Sequence, residues 1–222
     1  MSFSFYYVAL VIAVFNWIAV ARNWKYIIYL TKPGVMVALL IWLWQNGGLS
    51  GHMRWFAIGV LFSLAGDVFL ILPREQFVAG LISFLLVQVS YTVGLNNTFP
   101  EVNIASLIII ILLIFIAYQI YRRITEGLDA SSQSSLKLPI MAYMIAISMM
   151  VLSAFLTLVR PDWLTGQALL VSAGALLFFL SDTFLAWRKF IAHLSYGNLL
   201  VIINYHLGQA LILLGAALHF LG

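Results

Sequence analysis

Two aspartates lie inside long apolar stretches of this sequence, where a charged side chain is energetically unfavourable. Asp67 occurs in LFSLAGDVFL and Asp182 in LLFFLSDTFL. An ionisable side chain within a membrane span costs at least about 2.5 kcal/mol and usually marks a functional site. The other five acids fall between the apolar stretches and are interpreted as surface charges: Glu75, Glu101, Glu126, Asp129 and Asp162. Asp67 and Asp182 are therefore the candidates for chemistry.

A pair of carboxyl groups in a low-dielectric site can act as an acid and a base together. Two such groups held close cannot both ionise easily, so one proton stays shared between them. Hydrolysis of an acetal-like or vinyl ether bond uses this pairing, because one group protonates the substrate and the other activates water. Intramembrane acids also serve as proton relays in transporters, and some only join helices. The residues alone leave these alternatives open.

The composition indicates the elements that must hold the two aspartates. Of 222 residues, 64% are apolar and 8% are charged, which is too few charges to cover a soluble domain. A transmembrane helix needs about 20 mostly apolar residues. Eight such spans are predicted: Phe3–Ala21, Ile28–Trp44, Met53–Leu72, Phe77–Leu95, Asn103–Tyr121, Leu138–Val159, Gly166–Trp187 and Leu194–Leu221. We therefore expect an all-α integral membrane bundle, with residues 1–222 as a single transmembrane domain.

The basic residues orient this bundle. Nine of the eleven Lys and Arg lie in or beside the odd-numbered connections, and only Arg54 and Arg160 lie in the even ones. Cytoplasmic connections carry the excess of Lys and Arg, so both termini are predicted on the non-cytoplasmic side. The connections are short, except that the stretch from Arg122 to Lys137 is long enough to be a flexible loop.

The two aspartates are predicted to share one depth. Arg74 follows Asp67 by seven positions and Arg188 follows Asp182 by six. Both carboxyl groups would then lie roughly 9 to 10 Å inside the cytoplasmic boundary. Further polar side chains are expected near that depth or somewhat deeper: Lys32, Gln88, Tyr91, Tyr143, Asn204, Tyr205 and Gln209. Together they predict a polar chamber that opens toward the cytoplasmic leaflet and binds substrate.

Several other chemistries lack their motifs. The chain has no cysteine, and its histidines show no zinc-site spacing. A Gly-x-Ser-x-Gly elbow and a Gly-rich phosphate loop are also missing. The formal charge of +4 comes from too few side chains to form a nucleic-acid surface. No metal, cofactor or nucleic-acid partner is expected.

The order of short motifs along the chain resembles the YhhN family of polytopic membrane proteins, which includes the lysoplasmalogenases. The motifs occur in the second, third, fourth, seventh and eighth predicted spans: Lys32-Pro33, Gly66-Asp67, Phe77 to Tyr91 with Gly80 and Phe84, Ser181-Asp182, and Tyr205 with Gln209. The resemblance covers essentially the whole chain. One departure is Gln88, where the family pattern has a histidine, and this puts substrate preference in doubt.

This resemblance implies hydrolysis of the vinyl ether bond of lysoplasmalogens, which releases a fatty aldehyde and glycerophosphoethanolamine or glycerophosphocholine. It also implies that Asp67 and Asp182 are the catalytic pair, without assigning the acid and the base. Lys32, Arg74 and Arg188 are candidates to bind the lysophospholipid phosphate. The alternative is a small proton-coupled transporter or lipid-handling protein that uses the same aspartates. A bacterial inner membrane is the expected location, and the oligomeric state is left open.

Overall fold

The computed structural model describes residues 1–72, 76–96 and 103–222. In these ranges the chain forms eight α-helices that are long and apolar enough to cross a membrane. The helices are α1 Ser4–Ala21, α2 Lys25–Gln45, α3 Met53–Ile71, α4 Phe77–Leu95, α5 Ile104–Ala130, α6 Lys137–Leu156, α7 Thr165–Phe190 and α8 Gly197–Phe220. The described ranges contain no strand. The predicted all-α membrane bundle is confirmed, whereas the orientation of the termini and the single domain stay predictions.

Helices suit this sequence because the bilayer core offers no hydrogen-bond partner to an open backbone. Large apolar side chains face outward from the bundle, such as Phe15 on α1, Leu61 on α3 and Ile111 on α5. Small and polar residues face inward, including Ala9 and Asn16 on α1. Lipid is as apolar as these outer side chains, so they do not need burial against protein.

The segment predicted as a flexible loop, Arg122 to Lys137, is mostly helical, and that prediction is wrong. Helix α5 continues to Ala130, and α6 begins at Lys137 after a short 3₁₀ turn. The extension is stable because Ile124 and Leu128 are buried against Ile140 and Phe190. The charged side chains of this extension face outward. There Arg122 and Arg123 form ion pairs with Glu126, one helical turn away.

Most of α5 is only lightly packed, although its C-terminal end is anchored in this way. Only 6% of its most apolar stretch is buried inside the protein, the smallest share of any described helix. Its main neighbour is α6, with a smaller contact to α7. Helix α5 is therefore the most lipid-exposed wall of the bundle.

Helices α7 and α8 form the most extensive contact between described elements. They approach closely because glycines face each other across the interface. A Cβ atom on Gly174 would lie 2.6 Å from the backbone nitrogen of Ile212 and 2.8 Å from the carbonyl oxygen of Gly208. Only a residue without a side chain fits at such a crossing. This helix pair carries Asp182 on α7 and Tyr205 on α8 in a fixed relation.

Candidate functional site

Asp67 lies on α3 in a closed group with Lys32 of α2 and Tyr205 of α8, which we call the Asp67 group. The Lys32 Nζ is 3.1 Å from Asp67 Oδ1, and the side chain of Asp67 is 0% exposed. The Tyr205 hydroxyl donates a hydrogen bond of 2.9 Å to Asp67 Oδ2. A cation and a hydroxyl donor stabilise the ionised carboxylate in this buried place.

Asp182 lies on α7 in a second group with Tyr143 of α6 and Gln88 of α4, which we call the Asp182 group. The Tyr143 hydroxyl donates a short hydrogen bond to Asp182 Oδ2. Gln88 Nε2 in turn donates to the Tyr143 hydroxyl at 3.3 Å. No cation lies within ion-pair distance of Asp182 among the described residues. Its carboxyl group is therefore held by a neutral phenol rather than by an ammonium group.

A third set of polar contacts borders the Asp67 group. Gln209 Nε2 donates to the Ser63 hydroxyl at 2.7 Å, and the Tyr91 hydroxyl donates to Gln209 Oε1. Ser63 also interacts with the hydroxyls of Tyr91 and Tyr205. Ser63 thus connects the Tyr91–Gln209 pair to Tyr205.

The polar side chains predicted to form one chamber fall into two hydrogen-bonded groups. Within the described ranges, no hydrogen bond or ion pair joins the Asp67 group to the Asp182 group. Aromatic rings border the Asp67 group: Phe84 and Phe178 pack edge-on against Tyr205, with ring centroids 5.7 Å and 5.6 Å away. Electrostatics still connects the groups, because the Lys32 ammonium acts on both Asp67 and Asp182.

Asp182 lines a cavity between α3, α4, α5, α6 and α7 that holds about 620 Å³ of space, part of it open to the surroundings. Besides Asp182, Tyr143 and Thr183, all its lining side chains are apolar, among them Phe84, Ile147 and Phe179. We call it the apolar cavity. Apart from these three residues, its walls offer no partner for a charged or strongly polar group, so they suit a hydrocarbon chain.

A second cavity, which we call the mouth, lies at the Arg188 end of the bundle. It holds about 890 Å³ of space, part of it open to the surroundings. Lys32, Arg188, Asn23 and Asn198 line it, and no acid does. The Arg188 Nη1 donates to Asn198 Oδ1, which fixes the guanidinium at the rim. Two cations without a lining acid make the mouth suitable for an anionic group.

The mouth and the apolar cavity meet at two leucines. Leu70 follows Asp67 by three residues and Leu185 follows Asp182 by three, and both side chains line both cavities. The equal spacing is consistent with the predicted common depth of the aspartates. A molecule with a polar head and an apolar tail could lie across this junction.

The structure brings together most of the residues predicted to bind substrate. Asn204 joins neither group: its side-chain nitrogen donates to Leu200 of its own helix, and it lines neither cavity. Arg74 lies outside the described residues. His206, adjacent to Tyr205, is buried and accepts a hydrogen bond of 3.1 Å from the Trp17 indole.

Sequence reasoning missed the aromatic rings packed against Tyr205 and the side-chain amide of Asn198 at the mouth. From the sequence alone, Phe84 and Phe178 are interpreted as ordinary core residues, although Phe84 belongs to a motif of the family pattern. Asn198 has no distinguishing neighbour in the sequence, because its role comes only from its contact with Arg188. The part of the chain that the structure describes contains no cluster of three His, Cys, Asp or Glu side chains.

Comparisons with known proteins identify the family of the chain. A model of the YhhN family matches residues 27–216, which is most of the chain. The lysoplasmalogenase TMEM86B of Mus musculus is 26% identical over 204 residues, covering 90% of this chain and 79% of the mouse protein. No solved structure matches the chain.

Proposed function

The chain belongs to the YhhN family, and from that premise we propose that it is a membrane-embedded lysoplasmalogenase. Its substrate would be a 1-alkenyl lysophospholipid, and its products a fatty aldehyde and glycerophosphoethanolamine or glycerophosphocholine. The mouse relative supports this activity by its name, and its similarity spans 90% of the chain. The chemistry is assigned to the intramembrane aspartates.

One observation carries the proposal: a carboxyl group, Asp182, stands on the wall of a hydrocarbon-lined cavity. Vinyl ether hydrolysis needs an acid at the first atoms of an alkyl chain, which is where such a cavity would hold them. The Tyr143 hydroxyl fixes the carboxyl orientation through its hydrogen bond to Oδ2. A positioned acid of this kind accelerates proton transfer by about 10² to 10⁴-fold.

The two cavities fit the two ends of a lysophospholipid. The alkenyl chain would occupy the apolar cavity, and the phosphate would lie in the mouth near Arg188 and Lys32. Charge-assisted hydrogen bonds from these cations would hold the phosphate oxygens. The ether bond, which lies between phosphate and chain, would then fall near the junction at Leu70 and Leu185.

The test is aldehyde release by the purified protein in nanodiscs from lysoplasmenylethanolamine. We expect release by the wild type and by Asp129→Asn, an exposed control aspartate bound to Lys137. Asp182→Asn should release aldehyde at least about 10²-fold more slowly. The 1-alkyl lysolipid, which lacks the double bond, should stay intact in every case.

Aldehyde release that is not slowed by Asp182→Asn would contradict the aspartate chemistry. Absence of release from every 1-alkenyl lysolipid, together with solute uptake driven by a pH gradient, would contradict the hydrolase and favour the transporter. Residence in a bacterial inner membrane stays a prediction, which membrane fractionation of the source cells would test.

A further inference from the structure

We infer that the two aspartates have unequal roles: Asp182 is the carboxyl group that exchanges protons with the substrate, and Asp67 is a positioning residue that acts through Lys32. The inference rests on the proposed lysoplasmalogenase activity and refines it. It replaces a symmetric pair of catalytic carboxylates with one catalytic carboxyl group and one ion pair.

Asp67 has no access to substrate. Its side chain is 0% exposed, and it lines neither the apolar cavity nor the mouth. Each carboxylate oxygen has a neighbour on this closed side: Oδ1 is in ion-pair contact with Lys32 Nζ at 3.1 Å, and Oδ2 accepts a hydrogen bond from Tyr205 at 2.9 Å. A water molecule or an ether bond would have to displace one of these partners to reach it.

Lys32 does reach the substrate region. Its side chain is 14% exposed, and it lines the mouth. A lysine side chain is long and flexible, so an ammonium group at a cavity rim needs a fixed partner to stay in one position. Asp67 supplies that partner from the closed side. The Asp67 group therefore presents a positioned cation to whatever anionic group occupies the mouth.

Asp182 has the complementary environment. It is partly exposed, faces hydrocarbon and lacks an ion-pair partner among the described residues. Tyr143 occupies Oδ2, and no hydrogen bond to Oδ1 is found in the described ranges. A carboxyl group in such surroundings favours its neutral form, which can donate a proton. Oδ1 is the atom available for that donation.

The reaction itself points to Asp182. In a vinyl ether, the atom that accepts the proton is the second carbon of the alkenyl chain, which is part of the hydrocarbon tail. Asp182 gives its proton to that carbon, the double-bond electrons form the new C–H bond, and the carbon attached to oxygen becomes an oxocarbenium ion. The acid must therefore lie in the cavity that holds the tail.

Asp182 alone can then complete the reaction. As a carboxylate it takes a proton from water while the water oxygen bonds to the oxocarbenium carbon, giving a hemiacetal. It next protonates the ether oxygen as that C–O bond breaks, and it recovers the hemiacetal hydroxyl proton. One water is consumed, and the aldehyde and the glycerol hydroxyl are released. Retaining glycosidases use one carboxyl group first as acid and then as base in the same manner.

The test separates kcat from KM in four variants of the reconstituted protein: Asp182→Asn, Asp67→Asn, Lys32→Met and the double variant Asp67→Asn/Lys32→Met. Asp182→Asn should lower kcat by about 10³-fold or more, with binding of a 1-alkyl lysolipid unchanged. Asp67→Asn should leave kcat within about threefold and raise KM about as much as Lys32→Met does. The double variant should be no worse than Lys32→Met, because both changes remove the same positioned cation.

The inference is overturned if Asp67→Asn lowers kcat as strongly as Asp182→Asn while KM stays constant. If Asp67→Asn does not fold, Tyr205→Phe, which removes only the hydroxyl bound to Asp67 Oδ2, should shift KM in the same direction. A kcat loss in Tyr205→Phe without a KM change would overturn the inference equally.

Failure of the proposed function gives a different pattern. If the wild type releases no aldehyde, the proposed hydrolase activity and the proton-transfer role of Asp182 are both overturned. The binding of 1-alkyl lysolipid then decides the role of Asp67. Equal weakening by Asp67→Asn and Lys32→Met supports the positioning role, and unchanged binding overturns it. Competition by glycerophosphoethanolamine and by inorganic phosphate distinguishes a lipid headgroup from a free phosphate as occupant of the mouth.

Discussion

Gly174→Ala should destabilise the protein because it forces α7 and α8 apart. The new Cβ atom would lie 2.6 Å from the Ile212 nitrogen, whereas ordinary contact begins at 3.4 Å. The two nearest atoms are backbone atoms of α8, so a turn of the Ile212 side chain would not remove the clash. Helix α8 must retreat by about 0.8 Å, and such a gap forfeits about a quarter to a half of each dispersion contact across the interface.

We expect a cost of about 1–3 kcal/mol, the usual range for overpacking, and its upper part here because the clash is with backbone. A loss of about 3 kcal/mol changes the folding equilibrium by about 150-fold. The measurement is the free energy of unfolding from detergent-denaturant titration, followed by tryptophan fluorescence. Activity should fall as well, since the interface holds Asp182 and Tyr205 in register.

Gly166→Ala is the matched control on the same helix. Nothing lies within 4 Å of the Cβ that it would add, so its free energy of unfolding should stay within about 0.5 kcal/mol of the wild type. Equal stability of the two variants would refute the argument that α7 and α8 are held at glycine-limited distance.

Three further predictions follow from the cavities and from α5. Ala186→Trp fills the apolar cavity and should lower activity on long-chain more than on short-chain lysolipids in a paired kinetic assay, while Leu176→Trp on the outer face of α7 should not. Arg188→Gln removes a mouth cation and should raise KM about 2- to 5-fold, since an exposed ion pair contributes up to about 1 kcal/mol; an unchanged KM would contradict it. Leu128→Ala, which empties a fully buried site, should cost about 2–5 kcal/mol in unfolding free energy, whereas the exposed Leu112→Ala should cost little.

Much of the fold could be predicted because hydropathy reports span length directly. Phe77–Leu95 was predicted with the observed bounds, and Met53–Leu72 ends one residue beyond α3. The end of α5 could not be found in this way. Its last turns are amphipathic, and the burial of Ile124 and Leu128 depends on α6 and α7, which a local pattern does not contain.

The candidate site shows the same division. Asp67 and Asp182 could be found from the sequence because a carboxyl group in an apolar span is conspicuous. Their different surroundings could not, since Lys32 and Tyr205 reach Asp67 from α2 and α8, while Tyr143 reaches Asp182 from α6. The packing of helices that are distant in the sequence, and not the residue type, determines which carboxyl group forms an ion pair with a cation.

Helix α5 links the apolar cavity to the thickness of the bilayer. Its 27 residues extend about 40 Å at 1.5 Å per residue, against a hydrocarbon core of about 30 Å. The excess lies in the last turns, which carry the charged Arg122, Arg123 and Glu126 and can protrude beyond the core. The lightly packed part of α5 before them can tilt about this anchored end with little loss of protein contact. Because Ile124 of this helix lines the cavity, a thicker or thinner membrane would reshape the space for the hydrocarbon chain while the α7–α8 frame stays fixed.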